Sequence, residues 1–253
     1  MWNPFDFTGK RYIVTGSTSG MGRATAIKLS QQGAEIIQIA RNTDKMQETL
    51  SMLEGSGHQC YLKDFSETGG YKEILDEIVS DGRKIDGIVY CAGMAKILPV
   101  TLLSKKTMDE SMTTNLYSFV EMVSAFSKKK YHDQASVVGV SSISVLYPQK
   151  CQGIYVATKS AMNAIVKSIA IELAEKGIRI NTVMPSSTNT QMLKEAFENK
   201  TEEQIRESIN QQVLGLTEPE DVADIIMFLL SDAARMITGR EIYADGGYIN
   251  FIT

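Results

Sequence analysis

The stretch Arg11-Tyr-Ile-Val-Thr-Gly-Ser-Thr-Ser-Gly-Met-Gly22 decides how the rest of the chain is read. An apolar run, Arg11–Thr15, ends in a turn holding Gly16, Gly20 and Gly22, and a helix-compatible stretch, Gly22–Gln32, follows. A short apolar run closed by glycine reads as a strand. The glycines let the backbone turn sharply and approach a ligand, and the helix behind them offers unpaired N–H groups and a positive dipole end to an anion such as a pyrophosphate. Glycine turns also occur with no ligand. What favours a dinucleotide here is the position between an N-terminal strand and a helix.

Outward from that turn, strand-like and helix-like stretches alternate. Glu35–Ala40, Gln59–Lys63, Ile85–Tyr90, Ala135–Val140, Ile178–Met184 and Glu241–Ala244 read as strands; Asp44–Leu53, Tyr71–Ser80, Asn115–Lys130, Tyr155–Lys176 and Pro219–Leu230 read as helices. Alternation with short connections implies right-handed crossovers and a parallel sheet covered on both faces. The class is α/β with a doubly wound parallel sheet. With no repeat, low-complexity tract or linker in the 253 residues, one domain is expected to span 1–253. The long connection from Pro185 to about Thr217 carries charged, helix-compatible pieces at 190–199 and 202–211, and is expected to form a substrate-binding lid at about 186–215.

Composition narrows the function. A net charge of −4 and no long basic run argue against nucleic acid as the main partner. Cys60, Cys91 and Cys151 are widely spaced and accompanied by only two histidines, which points to reduced thiols and no bound metal. No window approaches the ~18–20 consecutive apolar residues of a membrane span, and the N-terminal residues lack a signal-peptide core. A soluble cytoplasmic protein with no membrane partner is expected. In such a chain the glycosylation pattern Asn199-Lys-Thr201 is read as coincidence.

A second constellation joins Ser142, Tyr155 and Lys159. Tyr155 and Lys159 are four apart, so a helix beginning near Tyr155 puts ammonium and phenol on one face. A fixed positive charge there favours phenolate, lowering a pKa that is about 10 in a free tyrosine. Ser142 follows the run Ala135–Val140, and a loop can return its hydroxyl to the phenol. Taken alone, the three residues equally suit a turn serine, a half-buried aromatic and a solvated lysine.

Together the glycine turn and Ser142, Tyr155 and Lys159 resemble the classical short-chain dehydrogenases/reductases, and the resemblance covers essentially the whole chain. Asp64 stands where that family has an adenine-contacting acid, Cys91-Ala-Gly93 where it has Asn-Ala-Gly, and Asn115 where it completes an Asn-Ser-Tyr-Lys tetrad. Arg179-Ile-Asn181, Pro185 through Thr190 and Asp245-Gly-Gly247 match further patterns. The resemblance implies a Rossmann-type fold and a nicotinamide-dependent oxidoreductase interconverting a ketone and a secondary alcohol. Tyr155 is then the proton donor, and Ser142 holds the substrate oxygen. Lys159 binds the nicotinamide ribose, and Asn115 anchors a water linking Lys159 to solvent. As a residue by itself, Asn115 also suits a helix N-cap. Cofactor contacts are expected from Gly16, Thr18, Ser19, Gly20, Met21, Gly22, Arg41, Asp64, Phe65, Ala92, Gly93, Tyr155, Lys159, Pro185, Thr188 and Thr190. The alternative is a regulator or scaffold that binds a nicotinamide nucleotide without turnover, which has no chemical need for all four tetrad residues.

The second strand ends Ile39-Ala40-Arg41-Asn42, with alanine where NAD enzymes of this fold usually carry an acid. The adjacent guanidinium suits a 2′-phosphate, so NADP(H) is favoured over NAD(H). A solvated Arg41 is the competing reading, and Ser19 is not the basic residue many NADP-preferring relatives carry. Cys91 is read as a packing thiol, and Ser186, replacing the family's glycine after Pro185, is expected to add a hydroxyl to the nicotinamide pocket. Ser144, Val145, Tyr147, Gln152, Met94, Ser187, Met192 and Leu193 are expected around the substrate, with no Arg or Lys cluster. A 3-oxoacyl thioester, a sugar-derived ketone, a steroid and other small ketones all fit that mixture. The resemblance also implies a homo-oligomer, tetramer or dimer, assembled through 115–130 and 155–176; the stripe Met162, Ile165, Ile169 and Leu173 is read as facing the sheet.

Overall fold

Every residue of β1 (Arg11–Thr15), β2 (Glu35–Ala40), β4 (Gly87–Tyr90) and β5 (Ala135–Val140) is buried, as expected of parallel strands covered on both faces. In the computed structural model of the protein, which describes residues 3–198 and 200–248, they join β3 (Gln59–Leu62), β6 (Ile178–Pro185) and β7 (Glu241–Ala244) in one parallel sheet of order β3-β2-β1-β4-β5-β6-β7. Asn199 lies outside the described residues. The helices are α1 (Gly20–Gln31), α2 (Thr43–Leu50), α3 (Tyr71–Ile78), α4 (Lys105–Met112), α5 (Ser118–Phe126), α6 (Gly153–Glu175), α7 (Gln191–Phe197), α8 (Glu202–Asn210) and α9 (Pro219–Leu230).

Alternation along the strands sorts the core into two layers. Ile13, Ile37, Ile39, Ile88, Val137 and Ile180 pack with side chains of α3, α5 and α6; Tyr12, Val14, Ile36, Val89, Val138 and Val183 pack with those of α1 and α9. On α6, Met162 and Leu173 are buried in the first layer while Ile165 and Ile169 pack half-buried against it. Among the described residues no helix is long and apolar enough to cross a membrane.

Strand order positions the site. From β1 the chain builds outward to β3, then returns to lay β4 against the other side of β1, with Thr15 opposite Tyr90 at the carboxyl ends. The connections leaving β1 and β4 diverge there and open a crevice, the usual ligand position in sheets of this type.

One stretch departs from its sequence-based reading. The helix expected to begin at Asn115 begins at Lys105, capped by Ser104, whose Oγ accepts from the Thr107 N–H. Asn115 is therefore no N-cap; it lies in a π-turn, Thr113–Tyr117, that joins α4 to α5. Such turns push one residue out of the helical register and recur at functional sites.

Candidate active site

The turn after β1 forms one wall of a cleft of about 630 Å³. A Cβ on Gly22 would lie 2.4 Å from the Gly16 carbonyl oxygen, and one on Gly16 would lie 2.9 Å from Ala92 N, so no side chain fits at either position. The turn is tied down from several directions. Gly16 N–H donates to Ile39 O (3.2 Å), Ala92 N–H to Thr15 Oγ1 (3.0 Å), Ser17 Oγ to Gln38 Oε1 (3.0 Å) and Thr49 Oγ1 to Ser17 O (3.2 Å). Arg23, which sequence reading missed, donates to Thr18 O at 2.6 Å while paired with Glu48. Gly16, Thr18, Ser19, Gly20, Met21, Gly22, Arg41, Asp64, Phe65, Ala92 and Gly93 all line this cleft, as do Ala40, Cys91, Met94, Thr190 and Met192. Its shape, length and bare backbone fit a dinucleotide with the pyrophosphate at the start of α1.

A second cleft of about 650 Å³ meets the first at Met21, Thr190 and Met192. Ser142, Tyr155, Pro185 and Thr188 line it, together with Ser144, Tyr147, Gln152, Ser187 and Leu193. Val145 lines neither cleft, and Met94 lines the first. Gln149, Lys150, Phe197, Lys200 and Tyr248 also line the second cleft. Sequence reading found none of these five, although it drew Ser144, Tyr147 and Gln152 from the same β5–α6 loop and Ser187, Met192 and Leu193 from the same 186–217 segment. Two lysines, Lys150 and Lys200, thus stand in its wall.

Lys159 lies behind both clefts, 5 % exposed. Its Nζ donates to Val140 O at 2.7 Å and stands 5.9 Å from the centre of the Tyr155 ring. A Cβ on Gly93 would come within 3.5 Å of that Nζ, so glycine leaves the space the ammonium reaches. Asn115 is fully buried. Its Oδ1 accepts from Met94 N–H (2.8 Å), and its Nδ2 donates to Met94 O (2.9 Å) and Thr158 Oγ1 (3.0 Å). The side-chain amide of Asn115 thereby fixes the main chain after β4. Ser186 lines the second cleft, and its Oγ donates to Gln212 Oε1 at 2.5 Å.

Burial sets the proton affinities. It raises the Tyr155 phenol above its ordinary value of 10.0, with the hydrogen bond to Ser142 pulling in the opposite direction. The lowering expected from Lys159 is not seen, because the ammonium is turned onto Val140 O beyond the ring. Burial brings Lys159 down to about 8, and the nearby Cys91 opposes that shift. Cys91, pushed up to about 12 by burial, is a protonated packing thiol. Hydrogen bonding from Ser66, then the charge of Arg41, hold Asp64 below the usual carboxylate range. Among non-glycine residues described, only Cys151 has positive φ, at 67°, in the loop leading to Tyr155.

The site is thus a glycine-walled cleft at the carboxyl ends of a parallel sheet, with a phenol and a hydroxyl in an adjoining cleft. A sequence model of the family described as enoyl-(acyl carrier protein) reductase matches residues 16–249. L-xylulose reductase of Caenorhabditis elegans is 26 % identical over 251 residues, covering 97 % of this chain and 98 % of its own. A short-chain type dehydrogenase/reductase from Mycobacterium ulcerans superposes with a TM-score of 0.88 at 28 % identity, covering 96 % of this chain and 90 % of that one. A 3-oxoacyl (acyl-carrier-protein) reductase from Agrobacterium tumefaciens, solved with NADP bound, gives 0.85 at 25 % identity, with 96 % of both chains covered. The chain belongs to the short-chain dehydrogenases/reductases, a family of oxidoreductases.

Replacing Asn115 with leucine deprives the half-buried N–H and carbonyl of Met94 of their side-chain partner. Asn115→Leu is expected to lower unfolding free energy in urea by about 2–4 kcal/mol; a loss below about 0.5 kcal/mol would contradict the clamp.

Proposed function

We propose that this protein is an NADP(H)-dependent oxidoreductase interconverting a ketone and a secondary alcohol, a single domain with residues 186–215 as the lid over its substrate. The observation that carries this reading is the meeting of two clefts at Met21, Thr190 and Met192, one with the glycine cradle in its wall and the other with Ser142 and Tyr155. When bound, the nicotinamide cofactor supplies or accepts the hydride. The residues that would hold it are Gly16, Thr18, Ser19, Gly20, Met21 and Gly22 in the turn, Arg41, Asp64 and Phe65 at the adenosine end, and Ala92, Gly93, Pro185, Thr188, Thr190, Tyr155 and Lys159 toward the nicotinamide.

In reduction, Tyr155 acts as general acid. Burial keeps its phenol protonated through neutral pH, so it has a proton to give the substrate oxygen, a contribution of roughly 10²–10⁴ in rate. Ser142 Oγ donates to the same oxygen and stabilises the charge that grows there. Lys159 brings a positive charge to the back of the site, and Asn115 positions the 92–94 wall through Met94. The substrate class is a ketone of the 3-oxoacyl type or another small carbonyl compound. The cleft walls suit one with both polar and apolar edges: Ser144, Gln149 and Gln152 on one side, Met192, Leu193 and Phe197 on the other.

NADP(H) is favoured because β2 ends in Ala40 and Arg41, both in the cleft wall, with no carboxylate from β2 to repel a 2′-phosphate. NADP in the similar Agrobacterium structure supports the same choice. The three free thiols suit the cytoplasm. A homo-oligomer, tetramer or dimer, is supported by apolar side chains at the surface, among them Ile171 on α6 (74 % exposed) and Met236 (87 %).

Tyr155→Phe is expected to cut ketone reduction by about 10²–10⁴-fold with NADPH affinity nearly unchanged. The wild-type kcat/KM for reduction should hold through neutral pH and decline above about 8, where Lys159 sheds its proton; full turnover in the variant would remove Tyr155 from the mechanism. Arg41→Ala should weaken NADPH about tenfold, a loss of one charge-assisted contact, and NADH far less. Equal losses for both would end the phosphate assignment. Light scattering should give a multiple of the 27.9 kDa chain mass, and a monomer alone would rule out the assembly.

A further inference from the structure

Residues 186–190 leave β6 and residues 212–217 lead into α9, so they are the two stems of the segment carrying α7 and α8. The stems are locked to each other and to β7. Asn189 N–H donates to Thr217 O at 2.9 Å, Leu214 N–H to Gly246 O at 2.9 Å and Ser186 N–H to Ala244 O at 3.2 Å, and Thr188 pairs with Thr217 in an isolated parallel bridge. The side chain of Gln212, 3 % exposed, ties them together. Its Oε1 accepts from Ser186 Oγ at 2.5 Å and Thr217 Oγ1 at 2.8 Å, while its Nε2 donates to Ser187 O at 3.0 Å. Both acceptor directions of the carboxamide are thereby used. A satisfied polar network at such depth holds its members in one arrangement. The helices between the stems are different: neither α7 nor α8 buries a single residue.

We propose that Gln212 is a positioning residue, acting from outside both clefts to set Ser187 and Thr188 in the second cleft and, through them, Thr190 where the clefts meet. The inference rests on the oxidoreductase reading above. It separates the two halves of the cofactor. Thr18, Arg41 and Asp64, at the adenosine end, follow β1, β2 and β3 and are held without Gln212, whereas the nicotinamide end is bordered by the segment that Gln212 fixes.

The test titrates the full-length protein with NADPH, read by nicotinamide fluorescence, and with adenosine 2′,5′-bisphosphate, which lacks the nicotinamide, read by calorimetry. Gln212→Leu and Thr217→Val should each weaken NADPH about tenfold and leave the bisphosphate within about twofold. Thr217→Ser, which restores the hydroxyl, should bring NADPH back to within about twofold of wild type. If Gln212→Leu does not fold, Ser186→Ala and the Thr217 pair carry the same comparison. Equal weakening of both ligands, or NADPH unmoved in every variant, would overturn the assignment. Failure of the wild-type protein to bind NADPH or NADH would instead overturn the oxidoreductase reading and this inference with it.

Discussion

Three backbone segments touch at the floor of the first cleft because Gly16 and Gly22 carry no side chain there. Gly16 and Gly22 bring the end of β1, the start of α1 and the main chain after β4 so close that a Cβ on Gly22 would lie 2.4 Å from Gly16 O and 3.2 Å from Cys91 Cβ. This contact fixes where the helix dipole points and how near a ligand can approach it. Everything on the β4 side inherits its position from the same contact. Ala92 is tied to Thr15, Met94 is gripped by Asn115, and Gly93 leaves the space for Lys159. The glycine turn and the Tyr155 end of the site are thus two ends of one packed unit.

The charges in that unit are set by depth. Lys159 is held to Val140 O, at the end of the strand that leads to Ser142, so helix α6 and strand β5 are joined beside Ser142 and Tyr155. Its ammonium gives up solvation to be there and loses proton affinity as a result. The same burial keeps Tyr155 protonated. The phenol so held has its proton to offer a carbonyl, and the hydrogen bond with Ser142 eases its release against the effect of burial.

Local patterns made much of this legible. Buried parallel strands read as continuous apolar runs, and glycines required by close backbone contact appear at fixed spacing, so the sheet and the glycine turn are legible in the sequence. Tyr155 and Lys159 were findable because a helix repeats every 3.6 residues. The helix at Lys105–Met112 was not, since KKTMDESM buries only Ser111 and offers no apolar stripe. That omission moved Asn115 from mid-helix to a helix start. Arg23, Gln212 and Tyr248 escaped for another reason. Each acts through contacts across distant sequence, Arg23 to Glu48, Gln212 to Ser186 and Tyr248 to Gln211 and Gln149, and nothing local marks a polar side chain for such a contact.

The most direct measurement is a fluorescence titration of the purified protein with NADPH and with NADH, followed by consumption of the tighter one against a panel of ketones. The account predicts saturable binding, tighter for NADPH, and oxidation of the cofactor with at least one ketone. No binding of either nucleotide would contradict the reading of the two joined clefts.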